Sequence, residues 1–164
     1  MAALLQARAL TESVTPLKAD CGRGCGHACC LPDETGRGGM LLFPGEEALY
    51  QGRPGFSITA DTAAGVPLPL LTCKGRCRRE ERPLSCRLFP LLPKQRGEDI
   101  IVVRDRRGFI VCPLLPSGLS AFQPAFIEAV RAAGRALYAV EEHRIFLNRL
   151  HTMISNHYSV ELFR

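Results

Sequence analysis

The sequence predicts an α+β protein with a small, loop-rich cysteine-cluster core, a β-hairpin at about residues 99–112, and a C-terminal amphipathic helix or helices. Three observations carry this prediction. Residues 20–40 hold Cys21, Cys25, Cys29 and Cys30 among Gly22, Gly24, Gly26, Gly36, Gly38 and Gly39, a glycine density that no regular element tolerates. Residues 99–103 and 109–112 are β-branched runs flanking the polar stretch Arg104–Gly108, which reads as a hairpin ended by Cys112-Pro113. Phe126, Val130, Ala133, Leu137, Val140, Leu147 and Ile154 follow a 4-3 spacing that is missed only at Arg144 and His151, the mark of an amphipathic helix.

The remaining elements follow in order. Residues 1–18 read as a short amphipathic helix that stops near Pro16. Glu46–Gln51 forms a short helix after Pro44-Gly45, and Phe56–Thr59 a short strand. Residues 60–72 are mostly apolar with Pro and Gly, and a second cysteine loop runs from Cys73 to Cys86. Pro124 suits the first turn of the C-terminal helical segment, about 118–158. One helix over 122–155 would be unusually long, so a break is expected near Glu141–His143. The whole chain, 1–164, reads as one domain with its cysteine core over about 20–113.

Composition bounds the function. A chain of 164 residues buries about 70 % of its unfolded surface and holds a core without staples. It is too short for a (β/α)8 barrel, and no apolar run reaches the roughly 18–20 residues of a membrane span. The net charge of +5 comes almost entirely from arginine, since only Lys18, Lys74 and Lys94 are lysines. That charge does not identify a nucleic-acid binder; a solvated basic face accounts for it. Gln6 and Arg8 interrupt the N-terminal apolar run, which argues against an export signal and for a cytoplasmic, reducing environment.

The cysteines carry the chemistry. The pattern is Cys21-x3-Cys25-x3-Cys29-Cys30, then Cys73-x3-Cys77-x8-Cys86 after 42 residues, then Cys112 after 25 more. Two loop-borne clusters can converge on one centre, and clustered thiolates are soft ligands for zinc, copper(I) and iron–sulfur clusters. Arg23, Lys74, Arg76, Arg78, Arg79, Arg82 and Arg87 lie nearby in sequence, where cations offset the charge of a thiolate site. Every close pair is Cys-x3-Cys, and the tight Cys-x2-Cys knuckle of zinc ribbons is absent, which inclines the reading toward an iron–sulfur cluster over zinc. Cys112, ending an apolar strand, best fits the alternative of a buried cysteine acting as a small hydrophobe. His27, inside the first loop, is a candidate ligand or donor to sulfur; His143, His151 and His157 read as solvated helix positions.

The stretch Arg82-Pro83-x-x-Cys86-Arg87-x-Phe89-Pro90, together with the Cys29-Cys30 pair closing a glycine-containing cysteine loop, resembles the YkgJ-type cysteine-cluster family. That family is described as zinc- or iron-chelating, or as iron–sulfur proteins. The resemblance covers about residues 20–113. It implies that Cys25, Cys29, Cys30 and Cys86 belong to the ligand set, with Cys73 and Cys77 as the intervening pair. Cys112 before Pro113 resembles a late cysteine often found after the core. The first loop departs from the family's usual Cys-x2-Cys-x2-Cys-Cys, because both gaps here are three residues, so the place of Cys21 and the choice between Cys29 and Cys30 stay open.

Two functions compete. In the first, Cys21, Cys25, Cys29, Cys30, Cys73, Cys77, Cys86 and Cys112 supply the ligands of an iron–sulfur cluster or zinc, for electron transfer, metal handling or service to a redox or protein partner. In the second, zinc only organises the fold, and the arginine-rich loops 74–87 and 104–107 contact RNA or an acidic protein. No His-Glu-x-x-His, P-loop, Gly-x-Ser-x-Gly or Gly-x-Gly-x-x-Gly is present, and no base–nucleophile pair identifies an enzyme.

Overall fold

The computed structural model describes residues 1–19, 21–31, 38–61, 68–75 and 77–158, the side chains of His157 and Tyr158 excepted. Arg76 and the side chain of His157, both singled out in the sequence, therefore lie outside the described residues. The chain runs α1 (Ala2–Leu10), α2 (Gly22–Cys25), β1 (Met40–Leu41), β2 (Phe56–Asp61), β3 (Leu68–Cys73), α3 (Leu84–Leu88), β4 (Leu91–Arg96), β5 (Asp99–Arg104), α4 (Pro124–Tyr138) and α5 (Glu141–Tyr158). Short 3-10 turns punctuate it, among them Ala28–Cys30, Glu46–Leu49 and Arg79–Glu81. The fold is α+β: two small antiparallel sheets, one ordered β1-β3-β2 and one made of β4 and β5, with two helices at the C-terminus.

α1 ends at Leu10, short of Pro16, because the Thr11 hydroxyl turns back to donate to the Ala7 carbonyl (2.9 Å) and satisfies the last turn. The segment beyond is tied to the start of α4, where the Gln123 amide N–H donates to the Pro16 carbonyl (3.0 Å).

The hairpin is displaced from its expected place. Asp99–Arg104 does form one arm, but its partner precedes it: Leu91 pairs with Arg104 and Arg96 with Asp99, closed by Gly97 in the left-handed region (φ +63°). Pro93 lies within this arm although proline cannot donate to a ladder. In a two-stranded sheet both strands are edges, so Pro93 sits opposite Val102 without breaking a central ladder. Arg104–Gly108 is no hairpin turn. Buried Asp105 accepts from the Arg107 backbone N–H (3.0 Å) and pairs with its guanidinium (2.7 Å), starting a 3-10 turn over Arg106–Ile110.

The C-terminal stripe behaves as its spacing predicts. Phe126, Val130, Ala133 and Leu137 of α4, with Leu147 and Ile154 of α5, are buried, and Val140 is half-buried at the break. The break falls at Ala139-Val140, and α5 opens on Glu141 and Glu142, whose charges favour a helix N-terminus. α4 lies on the hairpin so closely that a Cβ at Gly134 would come within 2.4 Å of Pro93. His143, expected to be solvated, is instead fully buried and takes a stripe position ahead of Phe146, Leu147 and Leu150. It meets Phe43 edge-on (6.2 Å between centroids), and neither ring nitrogen has a hydrogen-bond partner. His151 is half-buried with its Nε2 2.9 Å from the Pro93 carbonyl oxygen.

Two cores result. The larger joins α1, α3, the hairpin, α4 and α5; the smaller packs Leu42, Tyr50 and Leu71 with Phe56 and Ile58 on the three-stranded sheet. Each fully buried Leu or Phe contributes about 1.5–3 kcal/mol, so the larger core dominates stability. The cysteine loops lie beside the smaller one. No helix among the described residues is long and apolar enough to cross a membrane.

Candidate metal centre

The first cysteine loop is shaped by its backbone. α2 is a single turn closed by Gly26 and His27, both left-handed (φ +61° each), after which the 3-10 turn Ala28–Cys30 begins. Two successive left-handed residues reverse the chain, and Cys30 N–H donates to the His27 carbonyl (2.8 Å). Cys25 lays its thiol back over α2, 3.8 Å from the Cys21 carbonyl oxygen.

The second arm arrives on the sheet. Cys73 ends β3 opposite Phe56, and Gly75 turns the chain in the left-handed region (φ +84°). A Cβ on Gly75 would stand 3.8 Å from the Cys30 carbonyl oxygen, so the two loops, far apart in sequence, run side by side. Cys86 follows on α3, which is fastened on three sides. Glu46, fully buried, accepts from the Leu84 N–H (2.7 Å) at the start of α3, from Arg8 (2.5 Å) and from the Phe43 N–H (3.3 Å). The Ser85 hydroxyl donates to the Leu41 carbonyl (2.5 Å). Buried Arg87 donates to the carbonyls of Arg8 (3.0 Å), Arg82 (2.9 Å) and Glu80 (2.8 Å).

A cavity of about 240 Å³ opens where the arms meet, with Cys29, Cys30, Cys73, Cys77 and Cys86 on its wall beside Arg82. Met40, Phe56, Leu71 and Phe89 close the apolar side. The described cysteines carry thiols, not disulfide bonds. Their electrostatics sort them. Loss of hydration, then the charges of Cys77, Cys30 and Cys73, pushes the Cys86 thiol well above its ordinary value, while Arg82 pulls it down. Loss of hydration and the neighbouring Cys73 push Cys77 up to about 11, with Cys30 also raising it and Arg82 opposing. Cys29 responds to a different set: its hydrogen bond with Cys30, then burial, then the charges of Cys30, Cys25 and Cys21 raise it. On the cavity wall Cys29 thus stands with Cys30, Cys73, Cys77 and Cys86, and Cys21 and Cys25 are not among the residues that line it.

The residues fit an anionic centre. The Arg82 Nε is buried without a hydrogen-bond partner and its guanidinium lines the cavity with Cys77 and Cys86. A buried N–H without a partner is costly, and thiolates carrying a metal would supply an acceptor for it beside this half-buried guanidinium. Among the described residues no group of three or more His, Cys, Asp or Glu side chains is placed to hold a metal ion, so ligation would require the thiols to draw inward. Cys112 is not on the cavity wall; it packs half-buried against the larger core, in keeping with a small hydrophobe.

Two of the arginines read as charge compensation do other work: Arg79 donates to the Glu12 carbonyl (2.7 Å) and Arg87 is spent on backbone carbonyls. In the turn read as a contact for RNA or an acidic protein, Arg104 donates to the Leu115 carbonyl (3.0 Å) and Arg107 is held by Asp105. Glu46 was missed by sequence reasoning. Beyond the nearby Phe43, its partners Arg8 and Leu84 are 38 positions away on either side, and no local pattern marks such a contact. Comparison with family models, curated proteins and solved structures gives no match.

Proposed function

We propose that this chain is a thiolate-site protein holding an iron–sulfur cluster, with zinc as the competing occupant, through Cys30, Cys73, Cys77 and Cys86. The observation that carries it is the single cavity on which these thiols converge beside a buried, unpartnered guanidinium nitrogen. A four-thiolate set serves either centre. The volume favours the cluster: about 240 Å³ far exceeds the roughly 10–15 Å³ that admits one water, and a lone zinc ion drawn into four sulfurs needs no such space. A bound cluster would supply one-electron redox chemistry. The chain's own part is to hold the four sulfurs, exclude water on the Phe56–Phe89 side, and place the Arg82 N–H against sulfur, which shifts a cluster's potential. The resemblance of Arg82–Pro90 to the YkgJ-type signature supports the same reading, and Arg79, Arg87, Arg104 and Arg107 each already engage a carbonyl or carboxylate of this chain.

Anaerobic purification followed by visible absorption, with iron, sulfide and zinc analysis, tests it. Brown protein with iron and sulfide is expected, Cys86→Ser losing both and Cys112→Ser keeping both. Colourless protein with stoichiometric zinc, after reconstitution with iron and sulfide, overturns the cluster in favour of zinc. Metal content unchanged by Cys86→Ser and Cys77→Ser overturns the tetrad.

A further inference from the structure

The cavity that gathers the thiols has a second half built of carbon, with one cation beside it. We propose that in the metal-free protein this cavity binds a small aryl carboxylate, its single ring against Phe56, Leu71 and Phe89 and its carboxylate on Arg82, and that this ligand and the metal exclude one another. The exclusion rests on the reading of Cys30, Cys73, Cys77 and Cys86 as the metal ligands; the pocket itself does not.

Size selects the body of the ligand. A pocket for a drug-sized molecule occupies about 300–1,000 Å³, and the cavity of about 240 Å³ falls below that range. It exceeds the ~150 Å³ of an apolar cavity that admits benzene, so one ring with a short acidic arm fits. Met40, Phe56, Leu71, Pro83 and Phe89 supply the carbon surface that such a ring buries. Leu71 and Pro83 are buried, whereas Cys29 and Cys73 on the same wall are exposed, so the cavity meets solvent past these two thiols.

Charge selects the head group. Arg82 carries the one guanidinium, and no carboxylate accompanies it, among the described residues of the wall. None of the ion pairs among the described residues engages it. Its Nε is buried without a hydrogen-bond partner, whereas Arg79 and Arg87 are already bonded to carbonyls. A guanidinium presents parallel N–H donors that match the two oxygens of a carboxylate, and apolar surroundings strengthen the attraction. Metal reverses these conditions. Ligation makes the sulfurs anionic, draws them inward across the space of the ring, and gives the Arg82 N–H sulfur as its acceptor. Carboxylate and metal thus compete for one volume and one cation, and each weakens the other by the same factor.

The test titrates phenylacetate into the full chain, stripped of metal and kept reduced, by isothermal calorimetry. Saturable binding of one molecule per chain is expected. Phenylacetamide keeps the ring and loses the charge, and should bind about ten- to a hundredfold more weakly, the worth of a hydrogen bond to a charged group. Acetate keeps the charge and loses the ring, and should fall by a similar factor, the worth of burying an aromatic side chain. Arg82→Gln should erase the preference for phenylacetate over phenylacetamide, and Arg82→Lys should restore part of it. Loading with zinc(II) should weaken phenylacetate by about fivefold or more, and phenylacetate should weaken zinc equally. No saturable binding, or a carboxylate preference that survives Arg82→Gln, overturns the site. Undiminished phenylacetate binding to the zinc-loaded chain overturns the exclusion. If phenylacetate needs Arg82 while zinc content ignores Cys77→Ser and Cys86→Ser, the tetrad reading fails and the pocket stands. Should the Arg82 variants fail to fold by circular dichroism, the ranking of the three compounds on the wild-type chain decides: phenylacetate first supports the site, and any other order overturns it.

Discussion

The two arms that meet at the cavity are built by opposite means. α3 and its Cys86 are bolted to the larger core through Glu46, Ser85 and Arg87, which together reach α1, β1 and the loop before α3. The Cys21–Cys30 loop has no buried hydrophobic residue of its own and owes its shape to Gly26, His27 and a few backbone hydrogen bonds. The contrast teaches a division of labour. On the proposed reading, a thiol on the packed element is positioned before any metal arrives, and a thiol on the glycine loop would be positioned by the metal. Substitutions that damage the first arm should register in global stability; those in the second should register locally, in metal exchange and thiol reactivity.

The largest effect is expected at Glu46. Replacing it with Ala strips Arg8 and the Leu84 and Phe43 N–H groups of their shared carboxylate in a fully buried place. Removing one member of a buried ion pair costs about 3–5 kcal/mol. Urea unfolding of Glu46→Ala should show that loss, and a change below about 1 kcal/mol, the size of an exposed pair, would deny the arm its anchorage. Arg87→Met comes next. It abandons three carbonyls at once, and hydrogen bonds to charged groups are worth about 1.5–3 kcal/mol, readable in the same unfolding curves.

His143 tests the support behind this arm, since it packs on Phe43, whose backbone in turn donates to Glu46. Burial first, then the N-terminal amine, holds the imidazole below its ordinary 6.5, with Glu142 opposing. The unfolded chain therefore takes up this proton before the folded one does. The stability that neutral His143 contributes is present above pH 6.5 and drains away as pH falls below it. His143→Met should flatten that acid limb and gain about 1 kcal/mol at neutral pH by removing an unsatisfied polar ring from the core. Thermal unfolding from pH 7 to pH 5 measures both, and an unchanged acid limb would place the sensitivity elsewhere.

His143 also marks where the sequence stopped being legible. The helical stripe was readable because Phe126 through Ile154 repeat at helical spacing, but a histidine in a stripe position looks like a gap when only apolar residues are counted. The hairpin was half readable: Asp99–Val103 announced itself by β-branching, while Pro93 hid the true partner and Arg104–Gly108 imitated a turn through polarity alone. The cysteine pattern pointed to converging loops, since spacing and residue type are local. Which cysteines share a wall was not readable, because it depends on the Gly75–Cys30 approach across 45 positions and on a reversal at His27, where a non-glycine residue takes a left-handed backbone. Long-range contacts of this kind leave no periodic trace.

The smallest global effect, and the sharpest local one, is expected at Gly22. Its hydrogen occupies the space where a Cβ would lie 2.4 Å from His27 Cε1 and closer still to Nδ1, so Gly22→Ala must push the imidazole off α2. The ring is a movable side chain on a half-buried loop, and alanine favours the helical turn over glycine by about 1 kcal/mol. The unfolding midpoint should therefore hold steady or rise slightly. Alkylation of Cys21 and Cys25 in the metal-free protein should meanwhile accelerate relative to Cys86, as the ring that covers α2 is displaced. If Gly22→Ala instead lowered stability as Arg87→Met does, the loop would be packed as firmly as α3. The difference between the two arms would then lie in residue type and not in how each is held.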